Sequence, residues 1–308
     1  MSSVSIVIRA LNESVHLPRL LEGLANQSLP PDQIVLVDSG STDQTVALAA
    51  QAGADIVHIT PEEFSFGRSL NRGCAVARGD VFVFVSAHVY PIGDGWLEAM
   101  VRPFDEHPDV ALVYGRQTGD EYQSAFSELE IFRRWFPDQS DQNQDHPFCN
   151  NANCAVRATV WSEFPYDEEL TGLEDLDWAS RVQNAGHRIW YESTAGIVHL
   201  HREGFSRTRN RYRREAIAHK RIFGHQKMGW LEAFWLWLLN SGRDYLAAVP
   251  RRKLLRNLLS IPKFRAAQFI GTWQGFRINS NPTSALKRRF YYPKGFSSRA
   301  DRVVHRAG

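Results

Sequence analysis

The run VFVFVSAHVYP occupies Val81–Pro91. Its first five residues, Val81 to Val85, are all β-branched or aromatic and leave no polar face, the pattern of a strand covered on both sides. The run stops at Ser86-Ala87-His88, and Tyr90-Pro91 ends any continuation. Polar groups at the carboxyl end of a buried parallel strand sit where open α/β sheets bind ligands. His88 is therefore a candidate metal ligand through a neutral ring nitrogen, or a proton carrier near neutral pH. A strand-end histidine bonded to a nearby loop is the plainer alternative.

Upstream, Val4–Ile8 reads as a strand that leads into Asn12-Glu13, and Leu17, Leu20, Leu21 and Leu24 recur at helical spacing. Ile34–Val37 is a second strand, ending in Asp38-Ser39-Gly40-Ser41-Thr42-Asp43. Gly40 permits a tight turn, and Ser41 or Thr42 is placed to cap a helix over Thr45–Ala52 that Gly53 ends. Ala54–Ile59 is a third strand, and Phe66–Arg78 a helix before the central run. The alternation β-α-β-α-β-α-β predicts an α/β fold with a parallel sheet. Gly95–Phe104 continues as helix and Val110–Gly115 as strand. Asp38 and Asn12-Glu13 meet at strand ends, where short polar side chains can read a base and ribose; turn and cap chemistry is their ordinary use. Neither a Gly-x-Gly-x-x-Gly nor a Gly-x-x-x-x-Gly-Lys follows the first strand, which leaves dinucleotide binding and a P-loop unsupported. The polar stretch Asp138–His146 is long enough to move as a lid or to be an ordinary surface loop.

The 308 residues are 43% apolar and 23% charged, as in soluble globular proteins. The net charge of +2 conceals a division. Residues 1–204 hold 13 Lys/Arg and 30 Asp/Glu, a net of −17, whereas 205–308 hold 23 and 4, a net of +19. Two segments with two jobs are expected, the basic one facing an anionic partner. Cys74, Cys149 and Cys154 form neither a disulfide pattern nor a zinc-like spacing, as expected in a reducing cytoplasm. The N-terminus enters a strand at once, so no signal peptide is expected. With no run of eighteen apolar residues, no transmembrane helix is expected either.

Four segments in succession carry a resemblance. Ser5–Glu13 (SIVIRALNE), Val35–Asp43 (VLVDSGSTD), Asn71–Asp80 (NRGCAVARGD) and the Ser86-Ala87-His88 strand end are similar to the ordered motifs of family 2 glycosyltransferases, over about residues 3–203. The resemblance implies a GT-A fold that transfers a sugar from a nucleotide donor. Its nucleotide-sugar half would span about 1–115 and its acceptor half about 116–204, with 205–308 as a basic helical extension. It implies that Ala10, Asn12, Glu13 and Asp38 line the nucleotide pocket, with Arg68 and Asn71 near the base or diphosphate. The family places Arg directly before that Asn; here Leu70 stands there, and Arg68 would substitute from one helical turn away.

The larger departure is Ser86-Ala87-His88, where most relatives carry Asp-x-Asp. Ser86 keeps a hydroxyl for the ribose, and His88 stands at the metal position. A neutral imidazole binds Mn²⁺ but neutralises less charge than a carboxylate and suits Mg²⁺ poorly. Three readings are open: a His-ligated divalent cation (Mn or Mg), a protonated His88 acting on the diphosphate without metal, or an inactive enzyme. The first is preferred. Phe148–Val156 resembles the segment before the acceptor site, which makes Asn151 and Asn153 candidate sugar contacts. Glu174, Asp175 and Asp177 crowd one helical first turn, where capping alone would favour them. The family's Glu-Asp pair implies instead that Asp175 is the base of inverting transfer, with Glu174 orienting it or contacting the sugar. Trp178 would stack on the acceptor or simply pack. Alternation places His199 and His201 on one face, as structural residues or as further ligands beside His88.

From Phe205 the pattern is helical and rich in arginine. Trp230, Trp235, Trp237 and Trp273 among basic clusters fit helices lying in a membrane interface. A subdomain buried against the catalytic part or in a homodimer is the alternative; nucleic acid ranks last and is not expected. Ser297–Gly308 is expected to fray. The combined expectation is a cytoplasmic inverting glycosyltransferase, peripheral on the inner membrane face. It would move a hexosyl or deoxyhexosyl group to a lipid-linked glycan or surface polysaccharide. A nucleotidyltransferase and a non-catalytic nucleotide-sugar-binding scaffold with a degenerate metal site are the alternatives.

Overall fold

The computed structural model describes residues 1–201, 203–224 and 227–278. The expectation for Ser297–Gly308 lies outside these described residues. The apolar runs form parallel strands β1 (Val4–Ala10), β2 (Gln33–Asp38), β3 (Asp55–His58) and β4 (Val81–Ser86). Helices α1 (Leu17–Ala25), α2 (Thr45–Gln51) and α3 (Phe66–Val76) connect them. The chain continues through β5 (Val89–Pro91), α4 (Trp96–Glu106), β6 (Val110–Thr118) and α5 (Phe126–Trp135). It then forms β7 (Asn153–Arg157), α6 (Ala158–Glu163), α7 (Glu174–Asn184) and β8 (Arg188–His199). The sheet order is β3-β2-β1-β4-β7-β6-β8-β5. β7 runs antiparallel between β4 and β6, so the parallel half expected from sequence is joined to a mixed half.

Register fixes the site. Ala10 pairs with Asp38 across β1 and β2, and Arg9 pairs with Ser86 across β1 and β4. The carboxyl ends of three strands therefore share one edge. Two apolar layers hold the sheet: Leu17, Leu20, Trp96 and Met100 cover one face, and Leu70, Phe84, Trp178 and Tyr191 the other. Each fully buried side chain of this size contributes about 1.5–3 kcal/mol.

Two local expectations give way. Helix α2 begins after Gln44 with no side-chain cap, because Ser41 and Thr42 are committed to Asn12. The stretch 138–146 is not a free lid. Asp141 exchanges both backbone bonds with Tyr191 (3.0 and 2.8 Å), and buried Gln144 bonds Tyr114 Oη at 2.8 Å and the Phe148 carbonyl at 2.7 Å.

The extension comprises α8 (Phe205–Phe223), α9 (Trp230–Ala248), α10 (Leu254–Asn257) and α11 (Ser260–Phe276). A Cβ at Gly271 would lie 2.3 Å from the Arg209 carbonyl, and one at Gly275 2.4 Å from that of Arg213. Glycines one turn apart thus let the α11 and α8 backbones touch. Arg265 is buried and holds Asp244 through two 2.8 Å bonds, and its guanidinium also reaches the Ser127 carbonyl on α5 at 3.4 Å. The extension is therefore docked on the sheet-bearing part of the chain. Much of α9 still faces outward, with Trp230 64% and Trp235 60% exposed. No helix among the described residues is long and apolar enough to cross a membrane.

Candidate active site

At the shared strand edge, Asp38 is buried and accepts the Gly40 and Ser41 amides at 3.2 and 3.1 Å. Asn12 adopts φ +56°, a left-handed conformation that Asn tolerates better than most residues. Its Oδ1 accepts the Thr42 amide at 2.7 Å, while its own amide donates to Ser41 Oγ at 2.9 Å. The Glu13 amide donates to Thr45 Oγ1 at 2.8 Å. Turn chemistry thus operates here, and its effect is to lock Ala10, Asn12, Glu13 and Asp38 into one corner beside Ser86.

Arg68 and Asn71 both bond to Glu168. Arg68 Nε donates to Glu168 at 2.6 Å. Asn71 Nδ2 donates to the Tyr166 carbonyl and to Glu168, and its Oδ1 accepts from Trp161 Nε1 and the Tyr166 amide. With two donors and two lone pairs all engaged, the Asn71 amide has no capacity left for a nucleotide. It pins α3 to residues 161–168, which corrects the expectation drawn from the resemblance. Gly67 serves the same junction, since a Cβ there would meet the Asp167 carbonyl at 2.3 Å.

His88, His199 and His201 converge, with ligating atoms all within 4.8 Å of one another. Each ring is tethered through Nδ1: His88 to Glu13 Oε1 at 2.9 Å, His199 to Gln117 Oε1 at 2.9 Å, and His201 to Glu128 Oε1 at 2.8 Å. Such tethers fix ring orientation and tautomer and leave the other nitrogen, Nε2, for a metal. Nε2 of buried His199 has no hydrogen-bond partner among the described residues. Burial, reinforced by His201 and His88, holds His199 well below the usual imidazole range, so the ring is neutral and able to ligate. Glu128 also accepts from Arg211 at 3.0 Å, and Arg211 Nε reaches Glu203 at 2.8 Å.

The Glu-Asp pair opens α7. Leu173 before it has φ +56°, an uncommon value for a branched residue, which turns the chain sharply into the helix. Glu174 is buried against Arg9 at 3.1 Å. Asp175 is half-buried; Oδ2 accepts the Asn151 amide at 3.1 Å and Oδ1 the Leu176 amide at 2.8 Å. Burial, then the adjacent Glu174 charge, pushes the Asp175 carboxyl up to about 7. A carboxylate at that value is suited to take a proton near neutral pH.

Three acceptor-side expectations are revised. Trp178 is wholly buried and donates to the Phe164 carbonyl, so it packs and presents no face to a sugar. Asn153 is also wholly buried, its amide spent on the Arg116 and Ala195 carbonyls and on Trp96 Nε1. Asn151 is buried behind the pair, its side chain reaching Glu174 at 3.4 Å. It holds the carboxylates in place.

Sequence reading missed Arg9, Gln117, Glu128 and Arg211. Arg9 carried a signal, a cation ending an apolar strand; the others act across more than 70 residues and carried none. A cleft of about 490 Å³ joins Asp175, His199 and His201 to Arg211, Tyr212 and Phe269 of the extension.

Comparison with known proteins shows the family and the fold. Relatives include the O-antigen chain rhamnosyltransferase RfbN of Salmonella typhimurium, 28% identical over 66% of this chain and 69% of that protein. WbaN of Salmonella anatum, also an O-antigen chain rhamnosyltransferase, is 29% identical over 57% of this chain and 58% of that one. A pre-mycofactocin glycosyltransferase of Mycobacterium tuberculosis is 26% identical, and the match spans under half of its length. Among solved structures, the Pyrobaculum calidifontis mannosyltransferase PcManGT, in complex with GDP-Man and Mn²⁺, superposes with a TM-score of 0.58. It is 16% identical and covers 95% of this chain and 88% of its own. Staphylococcus aureus TarS 1–349 gives 0.53 at 17% identity, covering 88% and 90%. The profile described as glycosyl transferase family 2 matches residues 5–163, more than half of the 308 residues. The chain therefore belongs to glycosyltransferase family 2, and it is a glycosyltransferase with the GT-A fold.

Proposed function

We propose that this enzyme transfers a hexosyl or deoxyhexosyl group, with inversion, from a nucleoside diphosphate sugar to a hydroxyl of a growing surface polysaccharide or lipid-linked glycan. The two Salmonella relatives act on O-antigen chains as rhamnosyltransferases, which supports a deoxyhexose donor and a polysaccharide acceptor. The nucleoside would rest in the corner formed by Ala10, Asn12, Glu13, Asp38 and Ser86. Asp175 takes the acceptor proton, while Arg9 holds Glu174 in place beside it.

The tethering of three imidazoles beside the Asp38 corner carries this reading. Three imidazole nitrogens form a donor set that suits Mn²⁺ or another transition metal better than Mg²⁺. A divalent cation held by His88, His199 and His201 would supply positive charge to the departing diphosphate. The exposed aromatic face of α9 and the basic extension support placement on the cytoplasmic face of an anionic membrane.

Calorimetric titration of UDP, GDP and dTDP, with CMP as control, tests the site. Wild type is expected to bind one diphosphate only with Mn²⁺ present, and His88→Ala to lose that Mn²⁺-dependent binding. Metal-independent binding by both proteins would overturn the metal role, and failure to bind any diphosphate would overturn the donor class. The anomeric configuration of product, read by NMR, tests inversion.

A further inference from the structure

Two cavities of the extension meet at one side chain. The first, about 360 Å³, lies between α9 and α11 and is walled by Trp230, Phe234, Trp237, Phe269, Ile270 and Trp273. The second, about 330 Å³, is formed by Arg209, Arg213 and Arg277 with Trp273 and Gln274. Trp273 belongs to both, and the Arg277 guanidinium lies over its ring at 4.9 Å. The contact between Gly271 and Gly275 of α11 and the Arg209 and Arg213 carbonyls of α8 brings these arginines beside the groove. Among the described residues, no carboxylate lines either cavity. An apolar slot that opens on a triple-arginine cup is complementary to one chemistry, an amphiphile with an anionic head.

We propose that the α9–α11 groove and the Arg209-Arg213-Arg277 cup form a binding site for an anionic phospholipid, one acyl chain in the groove and the phosphate on the arginines. The inference rests on the membrane reading above and makes it specific. Outward residues of α9 such as Trp235 and Leu239 would enter the interface, and the lipid would be drawn from the bilayer into the groove behind them. The 30 residues after Ile278 carry seven Lys/Arg and a single acid, so the chain's own tail has the wrong sign for the cup. An arginine fork suits phosphate oxygens through paired N–H donors, which a zwitterionic headgroup also offers but with its charge cancelled.

The test uses the full chain and dihexanoyl-phosphatidylglycerol below its micelle concentration, with the phosphatidylcholine analogue and glycerol 3-phosphate alongside. Saturable binding of the phosphatidylglycerol is expected, at least tenfold tighter than either comparison probe. Arg209→Gln, Arg213→Gln and Arg277→Gln should each weaken it about fivefold, and the triple variant about a hundredfold. Ala266→Trp, which fills the groove from α11, should abolish it without touching an arginine. Equal binding of phosphatidylcholine would overturn the role of the cup, and equal binding of glycerol 3-phosphate that of the groove. A dimer that the lipid does not dissociate would assign the groove to a second copy. Sedimentation with phosphatidylglycerol vesicles separates the two levels. Vesicle binding that survives both the triple variant and Ala266→Trp sinks the site and leaves the membrane reading standing, whereas no vesicle binding by wild type sinks both.

Discussion

Replacing Asp175 by asparagine should make the protein inactive and, at alkaline pH, more stable. The carboxyl stands at about 7 in the fold against 3.8 for an ordinary aspartate, because burial and the Glu174 charge oppose its ionisation. The folded state thus binds more protons than the unfolded chain between these two values, and stability falls as pH rises through that window. Below about 4 the residue is neutral in both states and the cost vanishes; above about 7 it is present in full. Three pH units correspond to about 4 kcal/mol, a ceiling that water reaching this half-buried group lowers to roughly 2 kcal/mol. Asparagine keeps one of the two acceptor bonds from the Asn151 and Leu176 amides, and losing the other costs about 1 kcal/mol. Urea unfolding should therefore show Asp175→Asn about 1 kcal/mol above wild type at pH 8 and about 1 kcal/mol below it at pH 4. Turnover should fall about 10²–10⁴-fold, the usual contribution of a general base. A stability difference of the same sign and size at both pH values would refute the reasoning, since it would mean that Asp175 ionises as freely in the fold as outside it.

Glu174→Gln removes the nearer anion and leaves Arg9 facing Asp175. Burial and then the Glu174 charge raise the Asp175 carboxyl, so removing that charge should move the acidic limb of kcat/KM to lower pH. Glu128→Gln weakens the tether on His201; calorimetry should show Mn²⁺ affinity reduced about 10–100-fold. Gly271→Leu forces α11 away from the Arg209 carbonyl and should cost about 1–3 kcal/mol by urea unfolding, with the α8–α11 pair loosened. Trp178→Phe, placed in the core, should lower Tm while KM for the acceptor stays unchanged.

The parallel half of the sheet was legible because β1, β2 and β4 are short apolar runs that each end in a polar signal. The antiparallel insertion of β7 was not legible, since strand direction depends on pairing partners far along the chain. The placement of Asp38 at a strand end and of Glu174 and Asp175 at a helix start was legible from the motifs, and the shared face of His199 and His201 from alternation. Motif position alone did not foresee how Asn71 and Asn153 are engaged, nor decide between the two uses open to Trp178. Each is a polar or aromatic residue whose hydrogen-bonding capacity the fold consumes internally, and only the partners, 14 to 97 residues away, reveal that. The division of charge near residue 204 marked the extension. It gave no sign that Arg211 would be drawn inward to Glu128 and Glu203, while Arg209 and Arg213 line a separate cavity.

That inward arginine bears on how the molecule is made. Glu128 is buried, and the Arg211 guanidinium that reaches it is supplied by a helix that leaves the ribosome some eighty residues later. Burying a carboxylate without its cation costs several kcal/mol, so the acidic part cannot settle His201 into its final orientation while α8 is still being synthesised. Completion of the histidine cluster is thereby tied to arrival of the basic helices. The segment that faces the membrane in the proposed function is also the segment whose synthesis completes the histidine cluster.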